Sequence, residues 1–174
     1  RFYLSTGDDQ CYSLKYHFDQ NRKTSLSLKT VESLFSMIDF SSPAVPVIPF
    51  IDSIDISHFI GTVTEGARGN EIYVAINEQL LDRKFVTMLN SQLIPANIRF
   101  ALSGCFIGSD ILNTLSAFDF SMVMLSEFLI RNLHFFKMRI KIINGLKIFL
   151  DQMDIRVCAM NVLCEEEYQL IRDL

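Results

Sequence analysis

Between Ile111 and Ile143 the apolar residues Ile111, Leu115, Phe118, Met122, Leu125, Leu129, Leu133, Phe136, Ile140 and Ile143 advance in alternating steps of four and three. That spacing keeps an apolar seam on one side of an α-helix, so it predicts helix from Ser109 onwards, either continuous or broken near Asp119. Asn144-Gly145 reads either as the end of this helix, with glycine taking the left-handed conformation, or as the turn of a hairpin. The helical end is favoured, although Lys137-Met-Arg-Ile-Lys-Ile142 also alternates with period two. Further on, Asp154–Val162 reads as a strand and Glu165 onwards as a helix, its acidic first turn matching the positive helix N-terminus.

The first half carries a different signal. Phe2–Leu4, Cys11–Phe18 and Thr24–Lys29 alternate or mix aromatic with polar residues around the turn at Gly7-Asp-Asp, which predicts an antiparallel meander with one solvated face. Thr30 precedes Val31, Leu34, Phe35 and Ile38 at helical spacing, giving a short helix. Ser41–Pro49 holds three of the four prolines and reads as a connector, because proline lacks the amide donor a helix interior needs. Ile51–Ile60 and Glu71–Ile76 are expected to pair as a hairpin around the turn-rich Thr64–Asn70. From Asn77 the helical period returns, with Leu80, Leu81, Phe85, Met88 and Leu89 on a helix that ends before Pro95. The expected fold class is therefore α+β: an N-terminal antiparallel β-sheet with a short helix and a helix-rich C-terminal half. Residues 1–174 form a single domain or a segment of a larger protein, divisible at most into 1–94 and 95–174.

Composition limits the function classes. With 16 Lys and Arg against 20 Asp and Glu, the formal charge of −4 gives no strong nucleic-acid signal. Cys11, Cys105, Cys158 and Cys164 show no metal or redox spacing, so free thiols in the cytoplasm or nucleus are expected. The apolar 111–150 region is interrupted by charges, so no transmembrane segment is predicted.

Four stretches hold chemistry-bearing residues. Phe50–His58, FIDSIDISH, read as a strand, points Asp55 and His58 to opposite faces, and Asp52 lies about 20 Å from His58 at 3.3 Å per residue. An enzyme site there needs partners such as His17, Glu65, Glu71, Glu78 or Asp82. Gly66-Ala-Arg-Gly69 lacks phosphate-loop spacing and reads as a hairpin loop. Ser103–Gly108 lacks the glycine arrangement of a nucleophile elbow, which leaves Cys105 as a small core residue at a helix joint. Arg131, His134, Lys137 and Lys141 fall on one third of a helix opposite Leu133, Phe136 and Ile140, forming a basic amphipathic face.

The order strand, strand, helix, strands, helix over residues 1–94 resembles that of longin-type domains, binding modules of membrane traffic. It rests on order alone, without a motif, and no residue role is carried over. The leading functional expectation is a noncatalytic intracellular protein–protein interaction domain with another protein as partner. The alternatives are a small enzyme using carboxylates near Asp52–Asp55, and an anionic lipid or nucleic-acid surface binder acting through Arg131, His134, Lys137 and Lys141. Whether the chain catalyses a reaction is left open, and no cofactor or metal is called for.

Overall fold

The computed structural model describes residues 4–6, 9–13, 28–36, 38, 40, 45–50, 55–105, 111–160 and 162–173. Strands and helices alternate along most of the chain: β1 (Leu4–Thr6), β2 (Asp9–Ser13), α1 (Leu28–Phe35), β3 (Val45–Pro49), α2 (Ile56–Ala67), β4 (Ile72–Asn77), α3 (Arg83–Asn90), β5 (Ile98–Cys105), α4 (Ile111–Ala117), β6 (Met122–Leu125), α5 (Glu127–Ile130), α6 (Lys137–Asp151), β7 (Arg156–Ala159) and α7 (Glu165–Arg172). The strands lie in one sheet in sequence order. β1 and β2 are antiparallel, but every later neighbouring pair from β2–β3 to β6–β7 is parallel. β1 also approaches β7, with Cα atoms within 8 Å, so the sheet curls towards closure.

The expected α+β fold with an N-terminal antiparallel sheet is thereby corrected to α/β. Parallel neighbours need a crossover, and a helix between strands supplies it. The longin-like order fails for the same reason. The sheet runs through both halves of the chain, and its two faces are apolar. One face packs against helices through Ile48, Ile72, Val74, Ile76, Phe100, Leu102, Val123 and Leu125. The other holds Val47, Tyr73, Ala75, Ala101, Met122, Met124 and Cys158 inside the curl. Burial on both sides explains why IYVAI in β4 and MVML in β6 are continuous apolar runs.

Several local expectations change with it. The long helix seam is cut by β6: Met122 and Leu125 fit helical spacing, but the strand they belong to is only four residues long. Asn144-Gly145 neither ends a helix nor turns a hairpin, because α6 runs through it to Asp151, supported one turn later by the Lys147–Asp151 ion pair at 2.8 Å. The proline-rich connector contains β3, whose Pro46 and Pro49 align with Tyr12 and Ala75 of the flanking strands. Lys29 belongs to α1, not to a preceding strand. The expected elements at 14–27 lie outside the described residues. Among the described residues, no helix is long and apolar enough to cross a membrane.

Candidate functional site

FIDSIDISH enters a helix, so the expected pairing of Ile51–Ile60 with Glu71–Ile76 does not form. Asp55 is the N-cap of α2, its Oδ1 accepting the Ser57 and His58 amides at 2.9 and 3.3 Å, and Ile56, Phe59, Ile60 and Val63 turn into the core. His58 Nδ1 lies 3.7 Å from Asp55 Oδ1, and both side chains are well exposed, so the two meet at a helix end on the surface. Asp52 and His17 lie outside the described residues. The other proposed carboxylate partners are dispersed: Glu65 is on α2, Glu71 pairs with Arg99, Glu78 opens a 3-10 turn, and Asp82 caps α3 by accepting the Phe85 amide at 2.7 Å. Gly66–Gly69 is the C-terminus of α2, with Arg68 at φ 50° and Gly69 at φ 85°. Cys105 ends a parallel strand beside Leu125, not a helix joint.

The basic residues do not share one helix. Arg131 follows α5, His134 is in a 3-10 turn at Leu133–Phe135, and only Lys137 and Lys141 lie on α6. Asn132 at φ 57° reverses the chain between the two segments.

In a parallel sheet the strand C-termini share one end, where the following loops collect and where barrel enzymes place their ligands. There Asn77 aligns with Ser103, Ser103 with Met124, and Met124 with Cys158, forming one layer across four strands. Period two turns Asn77 and Ser103 to the same face as Ala75 and Ala101, inside the curl. The register shifts between Ser103 and Cys105, at Gly104 with φ 75°, and a Cβ on Gly104 would stand 3.3 Å from Asn77 Nδ2. Glycine here permits both the bulge and the close approach of Asn77. Asn77 Oδ1 accepts the Gln79 amide at 2.9 Å, leaving its amide hydrogens to point elsewhere.

One residue beyond β6, Ser126 continues the inward series of Met122 and Met124. Its Oγ is buried without a hydrogen-bond partner among the described residues, and it makes no capping bond to α5. A buried hydroxyl without a partner among the described residues is uncommon, and a water or a ligand can satisfy it. Asn77 and Ser103 thus share a layer with Met124, and Ser126 and Met160 each lie two residues further along the same inward series. Beside this mouth, Phe50 at the end of β3 joins Leu80, Asp82, Lys84, Phe85 and Met88 around a groove of about 230 Å³. Phe50 meets Phe59 edge-on at 5.0 Å and Phe85 at 5.4 Å.

A second cluster lies in the loops that follow β6 and β7. One ligand-capable atom each from His134, Cys164 and Glu167 come within 4.8 Å of one another. Glu167 is only 3 % exposed; its Oε1 accepts the Asn132 amide at 2.6 Å and its Oε2 the Leu163 amide at 3.0 Å. The Glu167 backbone amide favours the Cys164 thiolate, but partial burial and the Glu166 and Glu167 carboxylates outweigh it and raise the thiol above its ordinary value. The Glu166 backbone amide, then the Cys164 thiol and His134, hold the Glu166 carboxyl below the usual range. Sequence reasoning missed both the mouth and this cluster, because each joins residues more than 20 positions apart.

No protein-family profile and no curated protein matches this sequence. Solved structures do match in fold. The FimX EAL domain superposes with a TM-score of 0.67 at 10% identity, over 99% of this chain and 81% of that one. A manganese and cyclic di-GMP complex of Klebsiella pneumoniae BlrP1 gives 0.65 at 16% identity, over 83% of this chain and 40% of that one. A standalone versatile EAL protein from Vibrio cholerae O395 in its cyclic di-GMP-bound form gives 0.60 at 19% identity, over 84% and 65%. The chain therefore has an EAL-type α/β fold, and it spans less than half of the BlrP1 chain.

Proposed function

We propose that this domain binds a cyclic dinucleotide of the cyclic di-GMP type at the mouth formed by the C-terminal ends of its parallel strands. The observation that carries the reading is the inward-facing set Asn77, Ser103 and Ser126, with the Ser126 hydroxyl buried and unbonded among the described residues. Amide and hydroxyl groups suit the hydrogen-bonding edge of a purine, and the partly buried thioether of Met160, backed by Met124, suits its flat face. Four of the matching structures are described as cyclic di-GMP complexes, which supports the same ligand class.

This replaces the expectation of a noncatalytic protein–protein interaction domain with a protein partner. That expectation drew on the lack of a coherent catalytic set and on the aromatic and methionine residues of a predicted helical half, which the parallel sheet breaks up; the partner supported instead is a small molecule. It also replaces the anionic-surface alternative, because Arg131 and His134 do not continue the helix carrying Lys137 and Lys141. The carboxylate enzyme near Asp52–Asp55 loses its described half, since Asp55 is a helix cap. The cytoplasmic or nuclear location expected from the cysteine spacing is kept as part of this proposal.

Manganese and calcium, present in the BlrP1 complexes, do not fit the described mouth. Hard cations take carboxylate and carbonyl oxygens, whereas the inward layer offers one amide, two hydroxyls and thioethers. On the lining that the described residues provide, we infer binding without metal-dependent hydrolysis. Calorimetric titration of cyclic di-GMP in chelator tests it: saturable one-to-one binding is expected, weakened by about 2–10-fold in Ser126→Ala, the worth of one hydrogen bond. No binding, or manganese-dependent cleavage of the dinucleotide, would overturn it.

A further inference from the structure

We propose that His134, Cys164 and Glu167 form a binding site for a borderline divalent transition metal of the zinc class, separate from the dinucleotide mouth. The three residues come from two loops at the same end of the sheet: His134 from the 3-10 turn after α5, Cys164 and Glu167 from the entry into α7. Their ligand atoms lie within 4.8 Å of one another. Around tetrahedral zinc, ligands at about 2.0–2.3 Å from the metal are about 3.3–3.8 Å apart. The difference is about 1 Å, and it falls on the side chains that are free to move. His134 is exposed and Cys164 half-buried, whereas Glu167 is fixed.

Glu167 is what makes the cluster a prepared site. Each of its carboxylate oxygens accepts one backbone amide, from Asn132 and Leu163. A carboxylate has about four lone-pair positions, so each oxygen keeps one for a metal. Outer bonds of this type orient ligands in metal centres. A purely structural role explains the two amide bonds to Glu167, but not why an exposed imidazole and a thiol converge on the same carboxylate. The neighbouring Glu165 and Glu166, in the first turn of α7, add a negative field that draws a cation in.

The donor set selects the metal class. Thiolate, imidazole and carboxylate together suit zinc or cobalt, while calcium and magnesium prefer oxygen alone. Three protein ligands leave a fourth position for water. On binding, the thiol gives its proton to solvent and sulfur supplies the electron pair of the new metal–sulfur bond. The metal would tie the loop after β6 to the loop after β7, adding to the Asn132–Glu167 bond and to the packing of α7 against the Leu133–Phe135 turn.

The test is titration of the whole chain with cobalt(II) after chelator treatment, followed by displacement with zinc. A single equivalent of cobalt should give the thiolate-to-cobalt charge-transfer absorption and the intense visible bands of tetrahedral coordination. Cys164→Ser should abolish the charge-transfer absorption, and both Cys164→Ser and His134→Ala should weaken zinc binding by about tenfold or more. Both side chains lie outside the core, so the variants should keep the wild-type urea transition in chelator, which separates lost ligation from lost folding. Cobalt bound without charge transfer, charge transfer that survives Cys164→Ser, or zinc affinity within about twofold of wild type in both variants would overturn the proposal.

Discussion

Replacing Glu167 by alanine removes the one carboxylate that joins the Asn132 and Leu163 amides across 31 residues of sequence. A hydrogen bond to a charged group contributes about 1.5–3 kcal/mol, and an amide left without a partner costs about 1–3 kcal/mol. Asn132 and Leu163 are themselves exposed, so water takes over part of the lost bonding. We therefore expect Glu167→Ala to cost about 2–3 kcal/mol in total, at the lower end of two such bonds. Glu167→Gln keeps one carbonyl acceptor but turns an amide donor towards the other backbone N–H, for a loss of about 1–2 kcal/mol. Against a total stability of about 5–15 kcal/mol these are large fractions. For a chain of this length they lower the melting temperature by roughly 2–4 °C per kcal/mol. Urea denaturation in chelator, with any bound metal removed, reads the effect as a shift of midpoint at unchanged slope. An alanine variant within about 0.5 kcal/mol of wild type would refute the reasoning, because it would mean the buried carboxylate does not hold the two loops.

Three further substitutions probe the fold. Asp55→Ala should lose about 1 kcal/mol in the same denaturation assay, with Asp55→Ser restoring most of it, as an N-cap requires and a surface ion pair with His58 does not. Gly66→Ala should destabilise by about 1–3 kcal/mol, since its Cβ would overlap the Phe35 ring where α1 packs on α2; a neutral result would mean the ring moves aside freely. The Arg139 guanidinium lies 4.7 Å from the Phe128 ring centre and 4.1 Å from that of Phe136, and its Nη1 donates to the Phe128 and Arg131 carbonyls. Arg139→Lys should therefore cost about 1 kcal/mol in thermal unfolding despite conserving charge, and an unchanged melting temperature would count against that role.

Local signals were legible in the sequence where one element stands alone. The return of helical spacing after Asn77 marks α3, and the acidic start of α7 at Glu165 is visible in the run of glutamates. The parallel sheet was not legible, because short strands buried on both faces lose the alternation that announces a strand. β6 hides inside a helix-like apolar series, and β3 hides behind prolines. In FIDSIDISH the isoleucines imitate alternation, while the continuing series Ile56, Phe59, Ile60 and Val63 and the capping Asp55 are the signals that identify a helix. The mouth needed the register: nothing in the chain itself places Asn77 beside Ser103, or leaves the hydroxyl of Ser126 unbonded.

The mouth is tested most directly by the spectrum of methyl-labelled methionine on addition of cyclic di-GMP in the presence of chelator. Met124 and Met160 face the interior of the curl near the strand C-termini, whereas Met138 and Met153 are exposed on and after α6. The account predicts saturable shifts of the Met124 and Met160 methyl signals with Met153 unmoved. An unchanged spectrum, or shifts confined to Met138 and Met153, would contradict it.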